Sequence, residues 1–209
     1  MSKPVEELGI IAAELRPYFA AEDEAREKAL RSCRQVIRYS ADAIRALHRQ
    51  ERNRAKQLLD SAHELLRELN LDLAGHGRLL HSGFVHDAQK ELAEGYITLA
   101  LIAGEDLPKP RALDVSNAAY LDGLGESVGE LRRYVLDSLR RGDFSRCEDL
   151  LSIMEEMYRV LMAMDFPELL AHGLRRTTDN IRGIIERTRG DLTVCLAPRN
   201  PEAKRDDLG

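Results

Sequence analysis

A chain of 209 residues suits one large domain and is too short for two comfortable ones. Hydrophobic residues make up 44%, aromatics only 5% with no tryptophan, and charged residues 32%, a balance that supplies an aliphatic core and favours helix over strand. With 31 lysines and arginines against 36 aspartates and glutamates the net charge is −5, which excludes a global basic field that would draw the protein to nucleic acid or membrane; any polyanion must be held by local patches.

Apolar residues recur at i, i+3, i+4 almost from end to end, and no stretch alternates as a strand would. A first short helix is predicted over Val5 to Leu15, broken or kinked at Pro17, which cannot donate the helical hydrogen bond. A long helix follows from about Phe19 to Arg49, then another from about Arg52 to Leu71, with Leu58, Leu59, Leu65, Leu66 and Leu69 on one stripe. Gly75 and Gly77 mark a break before a helix from about Leu79 to Ala103, which the glycine and two prolines of GEDLPKP (104–110) terminate. The next runs from about Asn117 to Arg140 and ends at Gly142. In DFSRCED, Asp143 or Ser145 is placed to cap a helix reaching Met164. DFP (165–167) is the last turn signal, before a final helix from about Pro167 toward Cys195. The expected architecture is an all-α single domain of about seven helices over residues 1–196, followed by a frayed tail, 197–209.

Cys33, Cys147 and Cys195 are odd in number and form no CxxC pair, so neither a zinc knuckle nor a disulfide framework is indicated. The opening residues MSKPVEELGIIAAELRPY lack the apolar block of a signal peptide. The longest uncharged stretch of the QKELAEGYITLALIAG segment is half of the roughly 20 residues that span a bilayer. A reduced, soluble, cytoplasmic protein with no membrane contact is expected.

That segment (89–104) carries the chemistry. Its helix is apolar on nearly every side, yet it opens with Glu91 and Glu94, which three-residue spacing leaves about 60° apart on one face. Asp87 and Thr98 extend the same stripe. A second acidic stripe, Asp122, Glu126 and Glu130, recurs every four residues beside Leu124, Val128, Leu131 and Val135. Gly123, Gly125 and Gly129 are costly inside a helix and let a neighbouring backbone come close; Gly95 offers a matching notch on the other helix. Two helices meeting there would gather Glu91, Glu94 and Glu126, with Glu130 nearby. Carboxylates so gathered need a cation, and oxygen-only ligands suit Mg²⁺ or Mn²⁺ rather than zinc. From spacing alone, a buried ion-pair network with arginines such as Arg132 and Arg133 fits better than a metal site. No phosphate-cradling glycine loop and no ExxH di-iron motif competes.

Four stretches together resemble the translin family, and within it the translin-associated factor X branch: AAEDEAREKALRSCRQVIRYSADAIRALHR (20–49), QKELAEGYITLALIAGEDLP (89–108), AYLDGLGESVGELRRYVLDSLRRGDFSRCEDL (119–150) and IRGIIERTRGDLTVC (181–195). The resemblance implies an all-α bundle assembled into a hollow homo-oligomer, an octamer, holding RNA or single-stranded DNA on its inner surface. The factor X branch implies a Mg²⁺- or Mn²⁺-dependent endoribonuclease and a translin-like partner chain. Glu91 and Glu94 fall on the first two glutamates of the branch's catalytic motif, Glu126 on the aspartate of GxxDxxGE, and Glu130 on its final glutamate. Three departures are plain: Glu126 is one methylene longer than aspartate, Ala119 before Tyr120 stands where the family has aspartate, and Lys90 puts a cation where the family has glutamine. Arg78, His81 and His86 stand where the resemblance implies nucleic-acid contacts. The competing expectations are a translin-like oligomer that binds RNA or single-stranded DNA without cutting it, and a purely structural helical oligomer.

Overall fold

The described residues form seven α-helices and one 3-10 helix, with no strand among them. The computed structural model describes residues 3–164 and 174–196. In chain order the helices are α1 (Lys3–His48), α2 (Arg52–Asp72), α3 (Gly77–Leu80), α4 (Gly83–Ala103), α5 (Asn117–Arg141), α6 (Cys147–Ala163) and α7 (Leu174–Leu196), with the 3-10 turn Pro110–Leu113 between α4 and α5. The DFP turn, the expected helix start at Pro167 and the tail 197–209 lie outside the described residues.

The uncharged run of α4 explains the layering. A helix apolar all round must be covered on all sides, and α4 packs against α1, α2 and α5 at once. Leu92, Ala93, Ile97, Leu99, Leu101 and Ile102 are buried. Beyond it, α5 leans on α6 and α7, which also pack on each other. The core is aliphatic, built on Leu47, Leu59, Leu66, Leu92, Ile97, Leu131, Leu150 and Met154. No helix among the described residues is long and apolar enough to cross a membrane.

Three local expectations are corrected. The first helix is not broken at Pro17: α1 runs through it for 46 residues. Residues 4–21 are exposed, so water can reach the backbone carbonyl that Pro17 leaves without a donor, while the ring's clash with the preceding turn is not relieved by water. The helix expected from Leu79 to Ala103 is two helices. The chain turns at His81 and Ser82, where the Ser82 hydroxyl donates to the Leu79 carbonyl at 2.6 Å, closing α3 rather than capping α4. Asp143 accepts hydrogen bonds from the Ser145 backbone N–H and hydroxyl, closing a turn ahead of α6 whose N-cap is Arg146.

The C-terminus of α4 is held twice. Gly104 takes a left-handed φ of +74°, which lets the Glu105 N–H donate back to the Ala100 carbonyl at 2.9 Å. The Arg146 guanidinium, arriving from the start of α6, donates to the carbonyl of Ile102 at 2.8 Å. Arg146→Ala leaves that half-buried carbonyl short of a charged donor, and urea unfolding is expected to show a loss of about 1–2 kcal/mol. Unchanged stability would mean that water replaces the guanidinium there.

Candidate metal centre

The candidate site is set by how closely α5 approaches α4. A Cβ placed on Gly123 would lie 2.8 Å from the Lys90 carbonyl oxygen, 2.9 Å from the Ala93 Cβ and 2.9 Å from the Glu94 nitrogen. Backbone therefore lies on backbone, and no side chain fits between. This contact faces the first acidic stripe with the second. One carboxylate oxygen from each of Glu91, Glu94 and Glu126 can be chosen so that all three lie within 4.8 Å of one another. Among the described residues no other group of three or more histidine, cysteine, aspartate or glutamate side chains converges in this way. Gly95 is not the matching notch expected from the sequence: its open side meets Leu59 of α2, so it seats α4 on α2 instead.

The three carboxylates differ in surroundings. Glu94 is only 7% exposed, and among the described residues it has neither a hydrogen bond nor an ion pair. Burial, followed by the charges of Glu91, Glu126 and Glu130, pushes its pKa up to about 8. Glu91 is half-buried and also raised: burial is the main cause, Lys90 opposes it, and Glu126 adds to it. Glu126 is exposed at the rim. One turn beyond Glu94 the Thr98 hydroxyl is fully buried and has no partner among the described residues.

Two neighbours were not assigned their places by the sequence pattern. The Lys90 ammonium lies 2.9 Å from Glu126 Oε1 and 3.5 Å from Glu91 Oε1, bridging the helices. Burial works against its charge, but its hydrogen bond to Glu126 and the surrounding carboxylates outweigh this and hold its pKa above the ordinary lysine value. The second is His48, whose Nε2 pairs with the Glu130 carboxylate and whose side chain is 5% exposed. Glu130 is therefore outside the convergence, held by His48 and 4.0 Å from an Arg133 nitrogen, while its charge still acts on Glu94. The signal pointing inward is that His48 stands four residues after the buried Ile44, on the same helix face.

Arg132 turns away to α7, donating to Thr188 Oγ1 at 3.0 Å and to Asp191 Oδ2 at 2.8 Å, so it does not neutralise the acidic cluster. Arg78 of α3 and His81 at its end are exposed. His86, in the first turn of α4, is half-buried with Nε2 2.8 Å from Asp122 Oδ2. That hydrogen bond raises its pKa against the effect of burial, favouring the imidazolium. Asp60 and His63, at ligand-like spacing, serve elsewhere: Asp60 accepts from the Tyr96 hydroxyl at 2.8 Å, and His63 pairs with Asp114 at 3.0 Å. The Cys33 thiol is buried and pushed up to about 11, so it is not an activated nucleophile.

An all-oxygen set of three carboxylates, one of them buried and unpaired, fits an oxygen-preferring divalent cation such as Mg²⁺ or Mn²⁺ and lacks the nitrogen or sulfur donors that zinc favours. Without a cation the same set is relieved only by protonating Glu94 or by Lys90.

No protein-family model matches the sequence. An uncharacterized protein of Methanocaldococcus jannaschii is 30% identical over 181 residues, covering 86% of this chain and 80% of that protein. The crystal structure of AfC3PO superposes with a TM-score of 0.81 at 33% identity, covering 90% of this chain and 98% of that one. AfC3PO in a complex with duplex RNA gives a TM-score of 0.79 at 34% identity, covering 90% and 97%. Apo-NeC3PO, at 17% identity and a TM-score of 0.80, shares the fold. With AfC3PO matched along nearly its whole length at this identity, the chain belongs to the translin family, that of the C3PO proteins.

Proposed function

We propose that the protein is a metal-dependent endoribonuclease of the translin-associated factor X type, acting on single-stranded or partly unpaired RNA inside a homo-oligomeric cage, an octamer. The observation that carries this reading is the convergence of Glu91, Glu94 and Glu126 across the Gly123 contact. The complex of AfC3PO with duplex RNA supports RNA as the partner, and single-stranded DNA shares the phosphate chemistry.

In this reading Glu91, Glu94 and Glu126 hold Mg²⁺ or Mn²⁺, which when bound makes water more acidic and offsets charge on a phosphodiester. Glu94 is the fixed anchor, since its buried carboxylate has little freedom. Glu126, at the exposed rim, is the ligand that a strand approaches first. Glu130 completes the acidic stripe one turn further along α5, where His48 fixes its carboxylate. Arg78, His81 and His86 contact the phosphate backbone, which confers affinity without sequence preference. A translin-like second chain is a candidate partner in the assembly. The three cysteines are free, in keeping with a cytoplasmic site of action.

The test is cleavage of a fluorescently labelled single-stranded RNA with Mn²⁺, Mg²⁺ or EDTA, alongside filter binding. Cutting that requires the ion and falls at least about a hundredfold in Glu126→Ala, with binding retained, is the expected result. Binding without cutting under every condition would place the protein with the non-catalytic translin-like binders. Neither binding nor cutting would leave a helical scaffold.

A further inference from the structure

The acidic site is already partly occupied by a charge from its own chain. Lys90 and Glu91 are adjacent in sequence, and adjacent residues on a helix point about 100° apart, so they do not normally face each other. Here the Lys90 side chain reaches across to α5, placing its ammonium 2.9 Å from Glu126 and 3.5 Å from Glu91. The Lys90 side chain is only 19% exposed. Its backbone carbonyl is the one against which Gly123 packs, so the root of the side chain is fixed by the same contact that builds the site. Among the described residues no other cation forms an ion pair with Glu91, Glu94 or Glu126.

We propose that Lys90 is the resident counter-cation of this site and competes with a divalent ion for Glu91 and Glu126, so that ion binding displaces its ammonium. The inference rests on the metal-site reading given above. A Mg²⁺ or Mn²⁺ ion bonded at roughly 2.1 Å to the oxygen that Lys90 now contacts would lie within about 5 Å of the ammonium, close enough for strong repulsion in a half-buried place. The two cations cannot share those oxygens as they stand. Lys90 also satisfies the set incompletely. It carries one positive charge against three carboxylates and leaves Glu94, the most buried, unpaired. An ion that bonds all three therefore gains what Lys90 cannot supply, and Lys90 sets the ion concentration at which this happens. The lysine is thus a positioning and affinity-setting residue, not a group that touches substrate.

The experiment is Mn²⁺ binding to the full-length protein, measured by titration calorimetry and by the electron paramagnetic resonance signal of free Mn²⁺. Lys90→Gln is expected to bind about tenfold more tightly than wild type or better, and Lys90→Arg to stay close to wild type. Arg133→Gln, which removes a cation beside Glu130 instead, is expected to change affinity by less than about twofold. Thermal unfolding gives an independent readout: in EDTA, Lys90→Gln should melt below wild type, and its gain on adding Mn²⁺ should be the larger. Wild-type Mn²⁺ binding that is lost in Glu94→Gln but unimproved in Lys90→Gln overturns the inference and leaves the metal-site reading intact. An equal tightening in Arg133→Gln also overturns it, since general charge would then be the cause. Absence of Glu94-dependent Mn²⁺ binding in every variant brings down both.

Discussion

Glu94→Gln, in the absence of divalent ion, makes the folded protein more stable at alkaline pH while removing the anchor of the acidic site. The sign follows from the raised carboxyl. Its ordinary value is 4.5 and its folded value about 8, so the native state keeps the proton after the unfolded chain has lost it. The wild type therefore feels no penalty below pH 4.5, loses stability progressively as pH rises, and carries the full cost above about pH 8. That cost amounts to about 3 kcal/mol between pH 5.5 and 8.5. Glutamine cannot ionise, so the variant escapes it. The check is urea unfolding of both proteins in EDTA at those two pH values: the difference in stability should grow by that amount, and parallel curves would sink the idea. Adding Mn²⁺ should restore the wild type and do little for the variant, because only an ion that binds the native state stabilises it.

Gly123→Val is expected to be the most damaging single substitution on the α4–α5 seam. The new Cβ would press within 3 Å of three atoms, two of them backbone, which cannot swing aside as a flexible side chain does. The helices must part or the main chain must bend, at a cost of about 3 kcal/mol or more. Parting them also pulls Glu126 away from Glu91 and Glu94, so Mn²⁺ affinity should fall together with stability. Gly129→Ala, six residues along the same helix, serves as the control. Nothing lies within 4 Å of its added methyl, and alanine's better helix propensity should make it neutral or up to about 1 kcal/mol stabilising. Equal effects at the two glycines, measured by chemical denaturation, would refute the close-contact argument.

Much of this arrangement is legible in the amino-acid sequence. The period of the apolar residues located the long helices, because burying an aliphatic stripe leaves a regular mark. The two acidic stripes were legible for the opposite reason: carboxylates flanked by leucine, alanine and glycine have no ordinary surface to face. What escaped depended on direction rather than composition. Gly95 and Gly123 are the same residue type with the same helical cost, yet one receives Leu59 of α2 and the other the backbone of α4. Only three-dimensional packing distinguishes them. His48 lies 82 residues from Glu130, and a pairing at that separation leaves no local signal. Lys90 was visible as a cation beside the acids; that it bridges both helices follows from the width of the seam. Pro17 departs from the expectation that proline ends a helix: α1 continues through it as an uncovered arm, where water can reach the carbonyl left without a donor.

The backbone contact at Gly123 also divides the positions of the site by how freely they can drift. A carboxylate on the rim has slack: Glu126 is solvent-exposed, so a side chain shorter or longer by one methylene can swing to regain the same point. The residue that fixes the spacing between the two helices has no such latitude, because it has no side chain to adjust. The position most decisive for the geometry of the acidic cluster thus bears no charge of its own, and inspection of charged groups alone would pass it over.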